Sequence, residues 1–500
     1  MAALTGWEGR PLLSGLARCV AKPSASRFFT VFKQAKDVPA YAGAGLLAAG
    51  LIPRPMKISE RLPPFLARRL AGRATLQQVL DNSAWLFVDQ LVRMAAGLLV
   101  GVWLARYLGP EQYGWLSYAA AVVGTVGAFT SLGVNAVVVR EMVRSPEENK
   151  VWMGVAFFLK SLGAGLGFLI CVGVAWLQPM SAPATRPLII IVALGSLFQA
   201  LDVIDLFFQS RSESRISAYV RIAACVAASL LKVGLILAHA SLWALAVAGV
   251  VEIALCALGW VWTGERAGFK VRELQVKQEY VVKLLRESWP LALSGLAVYT
   301  QAYADQLVIG HMLGGGELGQ YAVAMRLVTV FAFIPMLLST VASPEITRAR
   351  QDDRALYHRR LHDFYRLMAL FFVATAVPLI LLGGYGVRLL FGPAYAGAVG
   401  LLPWLALRLF FTNFGVARGI YLTNEGLFRF GLVTALFGAI ANILLNVWWV
   451  PLWGARGAIA ASLVSFAITT FALEVFQREA RFNLRLMLTA AFLPWRRFAG

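Results

Sequence analysis

The sequence predicts an all-α membrane protein with about twelve transmembrane helices, arranged in two six-helix lobes that are related by a pseudo-two-fold axis along the membrane normal. Composition, segment length and an internal repeat each support this fold class. Of the 500 residues, 59% are hydrophobic and only 14% are charged, whereas a soluble globular chain has about 25% charged residues. Because too few charged side chains remain to cover a water-exposed surface, we interpret the chain as an integral membrane protein.

Apolar segments of roughly the same length follow one another from residue 78 onward. About 20 residues of helix cross about 30 Å of hydrocarbon, so each segment is long enough to span the membrane. The predicted spans lie near residues 83–106, 115–139, 151–177, 187–208, 217–239, 241–263, 289–312, 320–343, 366–388, 400–423, 427–450 and 455–477.

The connector between the first two predicted spans, Tyr107-Leu-Gly-Pro-Glu-Gln-Tyr-Gly114, has a counterpart about 205 residues later. The matching positions align without a gap: Leu108-Gly109, Gly114 and Ala119 correspond to Leu313-Gly314, Gly319 and Ala324. The chain therefore consists of two copies of one unit. Since each copy has an even number of spans, both copies enter the membrane in the same direction, and two parallel bundles leave a cleft between them.

Basic residues are distributed unevenly between the connectors, and this asymmetry predicts the orientation. The even-numbered connectors and the tail hold most of the arginines and lysines, whereas the odd-numbered connectors hold only Arg106, Arg186, Arg388 and Arg456. By the positive-inside rule, both termini face the cytoplasm. We therefore expect a multi-pass protein of the cytoplasmic (inner) membrane.

Five regions follow from this pattern. They are a basic, Pro-containing N-terminal arm (1–77), an N-terminal lobe (78–263), an interlobe linker (264–288), a C-terminal lobe (289–478) and a basic tail (479–500). The arm could lie on anionic lipids of the cytoplasmic face, where each basic group contributes about 1 kcal/mol. A disordered tail, an over-extended start of the reading frame and an organellar transit peptide are alternative interpretations of the same stretch.

Thirteen charged side chains fall inside the predicted spans. Each costs roughly 2.5–3.5 kcal/mol at a helix centre and is retained mainly where it faces a cavity or a partner. Seven are positive and six are negative, so the interior is mixed in sign, and nearly all of the formal charge of +20 lies in the connectors. The thirteen are Asp89, Arg93, Lys160, Asp202, Asp205, Arg221, Lys232, Glu252, Asp305, Arg326, Arg408, Arg418 and Glu474.

The first span places two of these charges where they can meet. Asp89 and Arg93 are four residues apart, so they share one helical face and can pair, with Gln90 beside them. The corresponding span of the second copy carries three polar residues, Gln301, Asp305 and Gln306. These groups could line the central cleft, or they could form interhelical ion pairs that only fix the packing.

Charges near the ends of spans have a simpler interpretation. Arg221, Arg418 and Glu474 lie close enough to the cytoplasmic boundary to extend their head groups into water. Asp202 and Asp205 share a face of the fourth span, where they could bind a cation or a proton, or could simply be hydrated at the boundary.

Sequence signals for catalysis fail on inspection. The stretch Gly154 to Ser161 lacks the second glycine of a phosphate-binding loop. His358 and His362 have the i, i+4 spacing of a metal-binding helix, yet Arg359 stands where a zinc protease needs Glu. The odd-numbered connectors are too short for a catalytic site outside the cytoplasm. We therefore expect no enzyme activity, cofactor, metal or nucleic-acid partner.

The first hairpin carries a resemblance to a known family. Its motifs are Leu108-Gly-Pro-Glu-Gln-Tyr-Gly114, Ser131-Leu-Gly-Val-Asn-Ala-Val-Val-Val-Arg-Glu141 and, later in the chain, Phe331-Ala-Phe-Ile-Pro-Met-Leu-Leu-Ser-Thr-Val-Ala-Ser-Pro-Glu345. Together they resemble the polysaccharide biosynthesis transporters, the oligosaccharide flippases within the superfamily that also contains multidrug exporters. The resemblance covers about residues 78 to 480.

This resemblance implies a V-shaped cleft and alternating access that moves a polyprenyl-diphosphate-linked oligosaccharide or polysaccharide precursor to the outer face, with glycan-assembly enzymes as partners. The family lines its cavity with spans one, two, seven and eight. The candidate substrate-cavity residues are then Asp89, Gln90, Arg93, Asn135, Lys160, Gln301, Asp305 and Arg326.

Two other functions stay open at this point. A cation-coupled multidrug antiporter would share the architecture, and cells that express it would export cationic dyes. A membrane enzyme acting on lipid-linked sugars would convert its substrate in purified form. The energy for transport could come from proton or cation binding at Asp89 or Asp305, or from consumption of the product.

Overall fold

The computed structural model describes residues 74–131, 133–177, 185–269 and 273–492, so nearly all of the predicted N-terminal arm lies outside the described residues. Within those ranges the chain forms fourteen α-helices and no β-strand. They are α1 (Ala74–Thr130), α2 (Val134–Arg144), α3 (Asn149–Trp176), α4 (Thr185–Phe198), α5 (Val203–Ser210), α6 (Ser214–Leu237), α7 (Leu242–Arg266), α8 (Gln278–Met312), α9 (Gly315–Asp352), α10 (Arg354–Phe391), α11 (Ala396–Asn424), α12 (Phe428–Trp453), α13 (Ala455–Thr470) and α14 (Arg478–Phe492).

The helices confirm the all-α membrane fold with two lobes. In the described part of the chain, ten helical segments are long and apolar enough to cross a membrane. One of them, Trp85–Thr130, is 46 residues long and bends at Gly109, so it holds two crossings. Helix α8 is not among the ten because polar residues interrupt its second half. The count of twelve spans stays a prediction, which rests on dividing α1 and including α8.

The repeated connector adopts the same backbone conformation in both copies. Gly109 has φ 71° and ψ 174°, and Gly314 has φ 87° and ψ −177°. Only glycine adopts this combination without strain. Gly392, with φ 88° and ψ 179°, precedes Pro393 just as Gly109 precedes Pro110, so the turn occurs a third time at a place that the sequence comparison did not identify.

The two copies of the connector pack against each other at the contact between the lobes. A Cβ atom on Gly114 would overlap the backbone of Gly315, and one on Gly319 would overlap the backbone of Pro110. Here glycine is needed for the close approach of two backbones rather than for a turn. We call this side of the molecule, where α1 bends and α8 meets α9, the odd-connector end.

Hydrogen bonds also tie the lobes together at the odd-connector end. The Tyr395 hydroxyl donates to the Ala105 carbonyl (2.8 Å), and the Arg106 guanidinium donates to the Leu389 carbonyl (3.0 Å). Tyr395 and Ala105 are both fully buried within the largest hydrophobic core, which includes residues of both lobes. The lobes are therefore closed against each other on this side.

On the opposite side, the start of α8 is fastened to the N-terminal lobe. Lys283 donates to Glu141 (3.0 Å), the Tyr280 hydroxyl donates to Glu148 (2.8 Å), and Arg140 pairs with Glu287. Helix α8 begins at Gln278, inside the stretch 264–288 that the sequence predicts to be an interlobe linker, and the linker assignment stays a prediction.

Two further departures from the predicted spans have local causes. The fourth span is broken by a 3₁₀ turn at Gln199–Asp202, which separates α4 from α5. The basic tail folds into α14, whose buried face includes Asn483 and Leu486. Its exposed face carries Arg478, Arg481 and Arg485, so the helix is amphipathic and lies against the rest of the lobe.

Candidate functional site

The N-terminal lobe contains a network of ion pairs centred on Asp89. The Asp89 carboxylate, only 2% exposed, receives the Nε of Arg93 and the Nε of Arg221, each at 2.9 Å. Arg221 also reaches Asp205 (3.0 Å), and Arg93 donates to the Gln90 carbonyl oxygen (2.8 Å). The predicted pairing of Asp89 with Arg93 is confirmed. The expectation that Arg221 extends into water is wrong, because both of its carboxylate partners lie inside the lobe.

The other charged residues of this lobe are paired as well. Lys160 pairs with Asp202, and Lys232 pairs with Glu252 (2.6 Å). The four cations and four carboxylates inside the predicted spans of this lobe therefore balance. Pairing removes most of the cost of placing each charge in a low-dielectric environment.

The C-terminal lobe holds its carboxylate Asp305 in a closed polar network. Asp305 is fully buried, and its carboxylate accepts hydrogen bonds from the Tyr321 hydroxyl (2.5 Å), the Ser462 hydroxyl (2.6 Å) and Arg408 (3.2 Å). Asn446 completes the set at 3.3 Å. Four other helices, α9, α11, α12 and α13, thus supply donors to this one carboxylate of α8.

Gln301 belongs to the same network one turn earlier on α8. Its amide donates to the Thr469 hydroxyl (3.1 Å) and lies 3.4 Å from Ser465. Ser465 in turn accepts from Asn442 (3.1 Å). The sequence signal that could have revealed this network is the spacing of its polar residues. Asn442 and Asn446 are four apart on α12, and Ser462 and Ser465 are three apart on α13.

A second buried pair lies near the other end of the C-terminal lobe. Arg418 donates to Glu474 at 2.6 Å, and Asn483 of α14 donates to the other carboxylate oxygen at 3.1 Å. The side chain of Arg418 is 9% exposed, and that of Glu474 is 0% exposed. The expectation that these residues extend into water is therefore wrong, because the lobe folds around them.

Among the thirteen charged residues, Arg326 is the one that forms no ion pair with any residue that the structure describes. Its guanidinium donates to the Tyr113 hydroxyl (3.0 Å) and to the Gly97 carbonyl, and both acceptors belong to the other lobe. A Cβ atom on Gly101 would overlap the guanidinium. Gly97 and Gly101 thus form a small-residue strip on α1 that admits the Arg326 side chain to the contact between the lobes.

Arg93 lies on the same strip of α1. It precedes Gly97 by four residues, which is about 6 Å along a helix axis. Its side chain is 39% exposed although it pairs with Asp89. The side-chain partners of Arg93 are Asp89 and Gln90 of the same helix, so its guanidinium belongs to the network of the N-terminal lobe, whereas that of Arg326 bonds across the lobes.

Helix α8 also carries a pair of stacked aromatic side chains that faces α1. The rings of Tyr299 and Tyr303 stack with centroids 4.4 Å apart, and a Cβ atom on Gly124 would overlap the Tyr299 hydroxyl. The pair therefore projects from α8 towards the second half of α1. Flat aromatic faces with a polar tip suit contacts with sugar rings.

The eight predicted cavity residues fall into separate groups. Asp89, Gln90 and Arg93 form one cluster, and Gln301 and Asp305 belong to another. Lys160 lies in a third pair, Asn135 is exposed on α2, and Arg326 bridges the lobes. Of the eight, only Arg326 has hydrogen bonds that join the two lobes within the described chain.

The two lobes differ in the net charge of the residues inside their predicted spans. The eight charged residues inside the predicted spans of the N-terminal lobe cancel, and the five inside those of the C-terminal lobe leave one positive charge, which is that of Arg326. This cation is held by neutral acceptors, which an anion could replace without breaking an ion pair. The arrangement suits a ligand that carries phosphate.

Comparisons with known proteins bear on this geometry. A family described as polysaccharide biosynthesis protein matches residues 103–400. A probable flippase of Haloferax volcanii, AglR, is 26% identical over 184 residues, which are 35% of this chain and 38% of that protein. The match thus spans well under half of the length of this relative.

Solved structures share the fold at low sequence identity. An inward-facing multidrug resistance MATE family transporter of the MOP superfamily has a TM-score of 0.62 and 14% identity, over 82% of this chain and 99% of that chain. The lipid II flippase MurJ in an inward closed conformation has a TM-score of 0.62 and 13% identity, over 83% and 91% of the two chains.

Proposed function

Because the chain belongs to the polysaccharide biosynthesis protein family, which matches residues 103–400, we propose that it is a flippase. It carries a polyprenyl-diphosphate-linked oligosaccharide or polysaccharide precursor from the cytoplasmic to the outer face of the inner membrane by alternating access. Both termini lie in the cytoplasm, where glycan-assembly enzymes deliver the substrate.

The unpaired Arg326 is the observation that carries this proposal. A transporter for an anionic head group needs a cation that is free to exchange its partners, and every other intramembrane cation is engaged with a carboxylate. Arg326 exchanges the Tyr113 hydroxyl and the Gly97 carbonyl for phosphate oxygens, which bind a guanidinium more strongly than neutral acceptors do. Arg93, which precedes Gly97 by about one helical turn, stays paired with Asp89.

This exchange links substrate binding to movement of the lobes. The bonds of Arg326 are among those that hold the lobes together at the odd-connector end. When the diphosphate takes over the guanidinium, the contact between the lobes weakens on that side. The lobes can then rock, and the head group reaches the outer face while the lipid tail stays in the bilayer.

The chemistry of the substrate explains why a protein is needed. Each sugar hydroxyl and each phosphate loses hydration when it enters hydrocarbon, at a cost of several kcal/mol per group. Polar groups between the lobes replace that hydration, and the stacked Tyr299 and Tyr303 offer a surface for the sugars.

Cation coupling at the predicted carboxylates is disfavoured by their partners. Asp89 already holds two guanidinium groups, and Asp305 holds Arg408 together with two hydroxyls and an amide. A sodium ion would have to displace a guanidinium from either site. Consumption of the flipped product is therefore the energy source that we favour.

Neither competing function has comparable support. A multidrug antiporter for cationic drugs needs an unpaired carboxylate, whereas the unpaired group here is positive. An enzyme acting on lipid-linked sugars needs a nucleophile or an acid–base pair beside the substrate, and Arg93 and Arg326 supply neither. Purified protein should therefore leave the substrate chemically unchanged.

The test is a leaflet-accessibility assay with purified protein in vesicles that contain a fluorescent polyprenyl-diphosphate glycan. We expect Arg326→Gln to lower the initial rate at least about tenfold, since a hydrogen bond to a charged group contributes about 1.5–3 kcal/mol. Arg359→Gln removes an exposed arginine elsewhere on the protein and serves as the matched control. If Arg326→Gln keeps both its thermal stability and the initial transport rate of the wild type, Arg326 does not have the proposed role.

A further inference from the structure

A groove on the surface of the C-terminal lobe lies away from the contact between the lobes. Two overlapping cavities of about 600 Å³ and 250 Å³ share Phe430, Val433 and Gln477. In the part of the chain that the structure describes, the lining comes from residues 426–437, around the start of α12, and from residues 473–477, which precede α14. No residue of α1, α8 or α9 lines it. We call it the C-lobe groove.

The groove changes in chemistry along its length. Arg429 and Gln477 stand at its mouth, and Phe437 and Leu473 lie in its deeper part. From Arg429 to Phe437 the helix rises about 12 Å, which is less than the roughly 15 Å of one leaflet's hydrocarbon. A cation at the boundary and an apolar slot below it match the order of phosphate and acyl chain in a phospholipid.

Large apolar side chains around the groove remain uncovered by protein. Phe428 is 66% exposed and Phe476 is 80% exposed. Such side chains gain from contact with hydrocarbon, so a lipid chain beside them lowers the free energy of the folded protein in the membrane.

Charge at the mouth of the groove favours an anionic head group. Arg429 and Arg478 are exposed, and neither forms an ion pair with any residue that the structure describes. Arg481 is held nearby, because its Nε donates to the Val475 carbonyl (2.7 Å). One carboxylate opposes these cations, that of Glu479, which accepts from Gln477. Glu474 is fully buried with Arg418 and does not contribute.

We propose that the C-lobe groove binds one anionic phospholipid of the leaflet on the side of the basic connectors. An acyl chain occupies the slot between Phe430, Val433 and Phe437, and the phosphate meets Arg429 and Arg478. The transported glycolipid enters between the lobes, whereas this phospholipid is a resident of the outer surface of the lobe. The site does not depend on the proposed transport activity.

Native mass spectrometry of the full chain released from nanodiscs tests this assignment. The discs contain phosphatidylcholine with about one fifth phosphatidylglycerol, the anionic probe. The double variant R429Q/R478Q should lower the ratio of retained phosphatidylglycerol to phosphatidylcholine, by about fivefold for each arginine, because a basic group near an anionic surface contributes about 1 kcal/mol. The control R348Q/R359Q removes two exposed arginines elsewhere on the lobe and should leave the ratio unchanged.

A second variant addresses the apolar slot. Val433 is 62% exposed, so V433W fills the groove without disturbing the core, and we expect it to reduce the total lipid retained. The proposal would be overturned if R429Q/R478Q and the control R348Q/R359Q lowered the ratio of phosphatidylglycerol to phosphatidylcholine equally. Full lipid retention by V433W would also overturn it. Displacement of phosphatidylglycerol by an equal amount of polyprenyl phosphate would assign the groove to the substrate carrier instead. If R429Q/R478Q fails to fold, the preference of the wild-type protein for phosphatidylglycerol over phosphatidylcholine must still fall as the salt concentration rises.

Discussion

The pair of Asp305 and Arg408 gives the sharpest prediction about what holds the C-terminal lobe together. The side chains are 0% and 6% exposed, and they meet at 3.2 Å. Replacing Arg408 by methionine keeps much of the side-chain length but removes the charge. Asp305 then stays buried with only the neutral donors Tyr321, Ser462 and Asn446 around it.

The expected loss of stability follows from this burial. Removing one partner of a buried ion pair typically costs about 3–5 kcal/mol, because the remaining charge is left uncompensated. Three neutral donors still solvate the carboxylate, so we expect the lower part of that range. The double variant D305N/R408M removes both charges, and it should recover at least about half of the loss.

Reversible unfolding in mixed detergent micelles measures these differences, with single and double variants compared as a cycle. Arg359→Met, which removes an exposed arginine, should change the free energy of unfolding by less than about 0.5 kcal/mol. The reasoning is refuted if the double variant is as unstable as the sum of the two single variants. Such additivity would mean that Asp305 and Arg408 do not interact.

Three further predictions concern the contacts between the lobes and the backbone turn at Gly109. Gly101→Leu should displace the Arg326 guanidinium and lower the transport rate, whereas Gly127→Leu, whose Cβ has open space, should leave the rate near that of the wild type in the same vesicle assay. Gly109→Ala, at φ 71°, should cost about 1–3 kcal/mol of unfolding free energy, whereas Gly316→Ala in helix α9 should cost nothing or stabilise by up to about 1 kcal/mol. Burial acts to raise the pKa of Glu141, but the hydrogen bonds and charges of Lys283 and Arg140 outweigh it and lower that pKa below its usual range. The stabilisation that Glu141 provides is therefore complete above its unfolded pKa of about 4.3 and is lost as pH falls through the lower folded pKa. The melting temperatures of the wild type and of Glu141→Gln should therefore converge only below about pH 4. Convergence of the two melting temperatures near neutral pH would contradict the assignment.

Local spacing was enough to predict contacts within one helix or within one copy of the repeat. Asp89 and Arg93 pair because residues four apart share a helix face. Gly109 and Gly314 share a backbone conformation because the two connectors repeat the same pattern. These features depend on near neighbours in the chain, which a single sequence shows directly.

Contacts between distant helices could not be predicted in this way. Arg408 meets Asp305 across 103 positions, and Arg326 meets Tyr113 across 213 positions. Which faces of these helices meet depends on how all of the helices pack together. The charged residues are therefore visible in the sequence, but which of the cations stays without a carboxylate partner depends on the packing of distant helices.

The break in the fourth span and the helical tail were missed for a related reason. The run 187–208 is apolar apart from Gln199, Asp202 and Asp205, and its average hydropathy does not reveal the 3₁₀ turn at Gln199–Asp202. Helix α14 has a charged outer face, so its composition indicates a tail, while its buried Asn483 completes the site of Glu474. In both cases the tertiary structure overrides the average composition.

The central claim is that a lone guanidinium between the lobes selects a lipid with an anionic head group. The most direct measurement compares the rates at which one fluorescent glycan changes leaflets when it is attached to a polyprenyl diphosphate or to a neutral lipid carrier. We predict that wild-type protein moves the diphosphate-linked glycan at least about tenfold faster, and that Arg326→Gln abolishes this preference. Equal rates for the two carriers in wild-type vesicles would contradict the account.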